Sequence, residues 1–117
     1  MKRSRWFIPL ILAALVAGCA PSVSLDQAKA IAAESQPLLG HSVGDIVASD
    51  WPVMVTSLKP ERVYRTPEGV YICTSRFFVE EHGVFILDPA APFTPESGGD
   101  PGYDPIVTGI FIYRIAG

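Results

Sequence analysis

Val70-Tyr71-Ile72-Cys73-Thr74-Ser75-Arg76-Phe77-Phe78-Val79 is the stretch on which the fold turns. Most of its side chains are β-branched or aromatic, types that suit a pleated surface and lose rotamer freedom in a helix. It reads as the longest strand of the chain. Alternation places Val70, Ile72, Thr74, Arg76 and Phe78 on one face and Tyr71, Cys73, Ser75, Phe77 and Val79 on the other. Neither face is clearly polar, so both call for cover: helices on one, and the loop that follows on the other.

Working outward, Pro67-Glu68-Gly69 is turn chemistry, because Pro fixes φ and Gly accepts φ > 0. It joins the long strand to a short one at residues 62–66. Glu80 to Gly83 reads as the next turn and residues 84–87 as the returning strand, giving an antiparallel meander. Asp88 to Pro105 carries Pro89, Pro92, Pro95, Pro101 and Pro105 with Gly98, Gly99 and Gly102. Such density predicts an irregular loop, long enough to suggest a function or disorder. Residues 106–115 form the closing strand, with Gly109 as a bulge.

Upstream, Ser24 and Gln27 have the spacing of a capping box. Leu25, Ala28, Ile31 and Ala32 follow at helical spacing, and Asp26 suits the first turn. This helix spans 25–35, stopped by Pro37, which disfavours helix at Gln36. Residues 38–49 read as a loop with an extended piece at Ile46-Val47. Trp51, Met54, Val55 and Leu58 share one helical face, with Asp50 as N-cap and Pro52 in the first turn. A strand over 53–57 competes, since Val and Thr favour strands; the helix, 51–58, is the preferred reading. The fold expected is α+β: an N-terminal helix and a short second helix packed on an antiparallel sheet of about four strands.

The head of the chain has another character. Lys2, Arg3 and Arg5 precede an apolar segment from Trp6 to Val16, and Ala17-Gly18 lead directly into Cys19. Trp6 to Gly18 would extend only about 20 Å as a helix, short of the ~30 Å hydrocarbon core. The order of basic head, apolar run and small residues is that of a secretory signal. Val16-Ala17-Gly18-Cys19 resembles the lipobox of bacterial lipoproteins, with Val16 where Leu is commonest. The resemblance covers residues 1 to about 21. It implies that Cys19 receives a diacylglyceryl group, that the chain is cut before it, and that the new terminus is acylated. It also implies a lipid-anchored place in the cell envelope. Ala20, rather than Asp, follows the cysteine and leans toward the outer membrane, facing the periplasm, in a host with two membranes. The division expected is a signal peptide at 1–18, a lipidated tether at 19–23 and one domain at 24–117.

Loss of Lys2, Arg3 and Arg5 would leave six basic residues against twelve acidic ones, a net charge of −6 where the precursor has −3. An acidic domain is ill suited to nucleic acid, where affinity comes from neutralising phosphates, or to lying flat on anionic lipid. With Cys19 acylated, Cys73 is the one thiol left, and its apolar neighbours predict burial.

No stretch names a reaction. There is no G-x-S-x-G elbow, P-loop or H-E-x-x-H, and no CxxC spacing for zinc. Glu80-Glu81-His82 would have to converge on a metal, yet consecutive residues diverge. His41 stands alone. Glu96, Asp100 and Asp104 lack the EF-hand pattern. No cofactor, metal or catalytic residue is therefore assigned. Phe93 and Tyr103, in the long loop, either anchor a protein partner or fold the loop over the sheet; the second has the greater weight. The leading functional expectation is a non-enzymatic binding or structural component of the envelope. Capture of a small apolar ligand, in a cavity lined by Tyr71, Phe77 and Ile112, is the alternative, and a small hydrolase comes third.

Overall fold

The computed structural model describes residues 23–117. A six-stranded sheet, antiparallel throughout, has helices on one face and an irregular segment on the other. Its strands are β1 (Gly44–Asp45), β2 (Arg62–Arg65), β3 (Gly69–Phe77), β4 (Glu80–Leu87), β5 (Gly102–Val107) and β6 (Ile110–Ile115), in spatial order β1-β2-β3-β4-β6-β5. The helices are α1 (Leu25–Ala33), α2 (Ser35–Leu39) and α3 (Val53–Ser57), with a 3₁₀ turn at Ala48–Asp50.

The α+β class matches the expectation, but six strands replace about four. β1 is a two-residue edge piece beside the extended stretch anticipated at Ile46-Val47. β5 begins inside the segment expected to be irregular through Pro105. Pro105 is tolerated because β5 is the edge strand, bonded to β6 alone. Irregular chain therefore runs only from 88 to 101. Gly109 is not a bulge within one strand. At φ 80° it makes the turn between β5 and β6, a backbone that L side chains rarely adopt.

The β3–β4 hairpin also turns earlier than its sequence suggested, at residues 78–79 and not at 80–83. Phe77 pairs with Glu80, so Phe78-Val79 is a two-residue turn and Glu80-Glu81-His82 belong to β4. The ladder slips between Cys73 and Ser75, a bulge at Thr74 that breaks the face alternation read from the sequence. Beside it, a Cβ on Gly83 would lie 1.9 Å from the Ile72 carbonyl oxygen, so only glycine fits.

The capping box of α1 is present in both directions: Ser24 Oγ accepts from Gln27 N at 3.1 Å, and Gln27 Oε1 accepts from Ser24 N at 2.8 Å. The helix stops at Ala33, sooner than 35, and α2 follows with Pro37 inside its first turn, where a missing N–H costs no helical bond. The second expected helix exists but is shorter, Val53–Ser57, and Pro52 takes the N-cap place foreseen for Asp50. Pro52 has no side-chain acceptor. Glu34 supplies it from twenty residues away, its Oε1 accepting from Met54 N at 3.0 Å.

Ala28, Ile31, Leu38 and Val55 come from the helices to meet Val63, Val70, Ile72, Val84, Ile86 and Ile110 of the sheet. The opposite face owes its cover to topology. β4 and β5 both run antiparallel to β6, so they share a direction, and the chain leaving β4 must return along the whole sheet to enter β5. Residues 88–101 make that crossing, and Phe93 packs onto the face beneath.

Candidate functional site

All four tyrosines of the chain stand on the loop-covered face. Tyr71, Tyr103 and Tyr113 are buried with Phe85, and Tyr64, Phe93 and Phe111 pack around them. Tyr71 meets Tyr113 edge-on with ring centroids 4.9 Å apart and stacks on Tyr64 at 5.1 Å, geometries that rings favour. A buried hydroxyl needs a partner. Tyr71 and Tyr103 satisfy each other, oxygen to oxygen at 2.7 Å. Tyr64 and Tyr113 both donate to Glu81 Oε2, each at 2.6 Å.

This arrangement keeps the phenols protonated. Burial raises Tyr113 above its ordinary value, and donation to Glu81 raises it further. Tyr64 is raised by the same causes in the same order. Burial is the chief cause for Tyr71 and Tyr103 as well. Cys73, fully buried, is likewise raised, first by desolvation and then by the Glu81 charge, so it is held as the thiol. As neutral groups the phenols serve as hydrogen-bond donors within the cluster. The cluster is a polar-lined second core.

The open surface lies at the end of the β3–β4 hairpin. Phe77, Phe78 and Val79 are 66%, 84% and 71% exposed, three consecutive apolar residues at its tip. The two rings touch, with centroids 4.4 Å apart. Phe78 has φ 58°, a left-handed conformation that costs an L residue about 1–2 kcal/mol and that turns normally give to Gly or Asn. The position thus keeps a large apolar ring despite both strain and exposure. The sequence assigned Phe77, Phe78 and Val79 to the interior of a strand and missed the tip. The signal was Phe-Phe-Val just before charged Glu80-Glu81, where a turn would not normally be apolar.

Cys19 lies outside the described residues. Tyr103 is 4% exposed, within β5, and Phe93 is half-buried against it, 5.5 Å between centroids. The two residues do come together, but to fold the crossing segment onto the sheet, and Tyr103 is turned away from any partner. Glu80 and His82 approach at 3.8 Å, while Glu81 points to the other face and its tyrosines. His41 Nδ1 donates to Ser42 O (3.2 Å), and the ring lies 3.5 Å from Asp50. Glu96 and Asp100 line one cleft and Asp104 another. Among the described residues no three His, Cys, Asp or Glu are placed to hold a metal ion, and no helix is long and apolar enough to cross a membrane. Tyr71, Phe77 and Ile112, posited around an apolar ligand, lie apart: one in the aromatic core, one at the hairpin tip, one on the helix-covered side.

A cleft of about 220 Å³ on that side is lined by Val23, Leu58, Thr74, Ser75, His82 and Ile112, among others. It puts Val23, where the described chain begins, beside the strand ends that carry the hairpin. Set against known protein families, curated proteins and solved structures, the chain matches none.

Proposed function

We propose that this chain is a bacterial lipoprotein, held in the cell envelope by acyl chains on Cys19, whose domain works as a non-enzymatic binding or structural component through its surface. The observation that carries the anchor is the order of Lys2-Arg3-Ser4-Arg5, the apolar run and Val16-Ala17-Gly18-Cys19. Two acyl chains suffice for stable anchoring, at ~0.8 kcal/mol per buried CH₂. The domain boundary supports a cut at that point, since the first helix is capped by Ser24 and a processed chain loses none of it. Ala20 after the cysteine favours the outer membrane of a host with two membranes.

Work through a surface is favoured over ligand capture by the packing. Both sheet faces are covered and their central side chains buried, and Tyr71, Phe77 and Ile112 line no common cavity, while a contiguous apolar patch stands exposed at the hairpin, the kind of feature that marks an interaction site. The acidic balance of residues 19–117 disfavours nucleic acid as a partner.

Mass spectrometry of the protein from its own membranes tests the anchor. The expected mature chain begins at diacylglyceryl-modified Cys19 and partitions into detergent, and Cys19→Ala leaves an unlipidated precursor. An unmodified Cys19 within an intact chain would sink the proposal.

A further inference from the structure

We propose that the β3–β4 hairpin is a second membrane contact, with Phe77, Phe78 and Val79 seated among the acyl chains of the bilayer in which Cys19 is anchored. The inference rests on the lipoprotein reading above. It is carried by where the described chain begins. Val23 and the hairpin's own Thr74, Ser75 and His82 line one cleft. Three residues separate Val23 from Cys19, and the four Cα-to-Cα steps between them span at most about 14 Å when fully extended. From Ser75 the strand advances ~3.4 Å per residue, so the Phe78 ring lies about 10 Å further along the hairpin. An anchor on Cys19 therefore has its acyl chains within reach of the level occupied by the tip.

The chemistry of the tip suits lipid better than protein. Three side chains on a projecting turn bury a few hundred Å² at most, well below the ~1,200 Å² of a stable complex, whether with a second copy or another protein. An apolar tip entering the headgroup boundary by ~5–10 Å needs no matching surface. Arg76 and Glu80 flank it, both exposed and of opposite sign, and so complement a zwitterionic headgroup layer. Hairpin insertion stands the strands on the membrane and leaves the other end of the sheet, with the Thr66–Glu68 and Thr108-Gly109 turns, facing away.

The test uses the full lipidated protein reconstituted in phosphatidylcholine vesicles, with and without bromine on the acyl chains. The mature chain has one tryptophan, Trp51, half-buried and donating to Ile46 O, which sets the baseline. Phe78→Trp places an indole at the tip, and Thr108→Trp places one on an exposed turn at the far end. Expected is an emission from Phe78→Trp that shifts to the blue and falls at least about twofold in brominated vesicles, the bromine lying at the depth such an element reaches. Thr108→Trp should be unaffected. If mass spectrometry shows the lipid on Cys19 while Phe78→Trp emits as in water, the hairpin contact is overturned and the anchor stands. Equal quenching at both positions means the domain lies flat and overturns it too. An unmodified Cys19 removes anchor and hairpin contact together.

Discussion

On one face of the sheet Val63, Val70, Ile72, Val84, Ile86 and Ile110 meet Ala28, Ile31 and Val55, aliphatic against aliphatic. On the other, the same strands present Tyr64, Tyr71, Phe85 and Tyr113, and a segment without regular structure lies over them. The comparison teaches that period-2 alternation can build two unlike cores from one set of strands. Helices bring their own satisfied backbone and bury an aliphatic stripe. An irregular cover packs less regularly, and broad rings span it. Their hydroxyls then need partners, which Glu81 and the Tyr71–Tyr103 pair provide.

Truncation should break the two faces to different extents. Tyr103→Ala removes a ring buried among Tyr71, Phe85 and Phe93 and strands the Tyr71 hydroxyl, and is expected to cost about 3–5 kcal/mol. Ile31→Ala on the helix side should cost about 2–5 kcal/mol, with no polar group left behind. Thermal or denaturant unfolding measures both. A Tyr103→Ala protein of unchanged stability would mean that the crossing segment does not cover the sheet in solution.

Alkali should separate the faces next. All four phenols are raised in the folded state, so the folded chain keeps protons that the unfolded chain begins to lose near pH 10. The stability this gives is complete below about pH 10 and drains away as pH rises toward the folded values. Each phenol held neutral contributes a slope of at most ~1.4 kcal/mol per pH unit. Tyr113→Phe should flatten the loss measured between pH 10 and 12, and a helix-side substitution should leave its slope alone.

The smallest expected effect concerns the hairpin tip, which belongs to neither core. Phe78→Gly relieves the left-handed backbone and should leave the isolated domain equally stable or up to about 1 kcal/mol more stable. A marked loss of stability would mean that the Phe78 ring packs on the domain, against its 84% exposure.

Much of the molecule was legible in the chain: the capping box at Ser24, the 3.6-residue spacing of α1, the choice of helix over strand near 53–57, the long strand and the burial of Cys73. These are local decisions, made by side-chain shape and spacing over a few residues. The departures share a non-local cause. Pro105 does not break β5, because the edge of a sheet needs no N–H on its outer side, and nothing near Pro105 says which strand is the edge. Phe78-Val79 look like strand interior until the Phe77–Glu80 pairing places them in the turn. Tyr103 covers the sheet as the favoured reading had it, but from within a strand and not from an irregular loop, because β5 pairs beyond β6. By itself the sequence determined the α+β class, the acidic balance and the order of basic head, apolar run and small residues before Cys19 on which the proposed anchor rests. Only the tertiary structure decided that residues 88–101 must cross a sheet face, that four scattered tyrosines converge on it, and that Val23 shares a cleft with the strands that carry the apolar hairpin tip. Strand order and ladder register are set by contacts between residues far apart in the chain, and no local pattern encodes them.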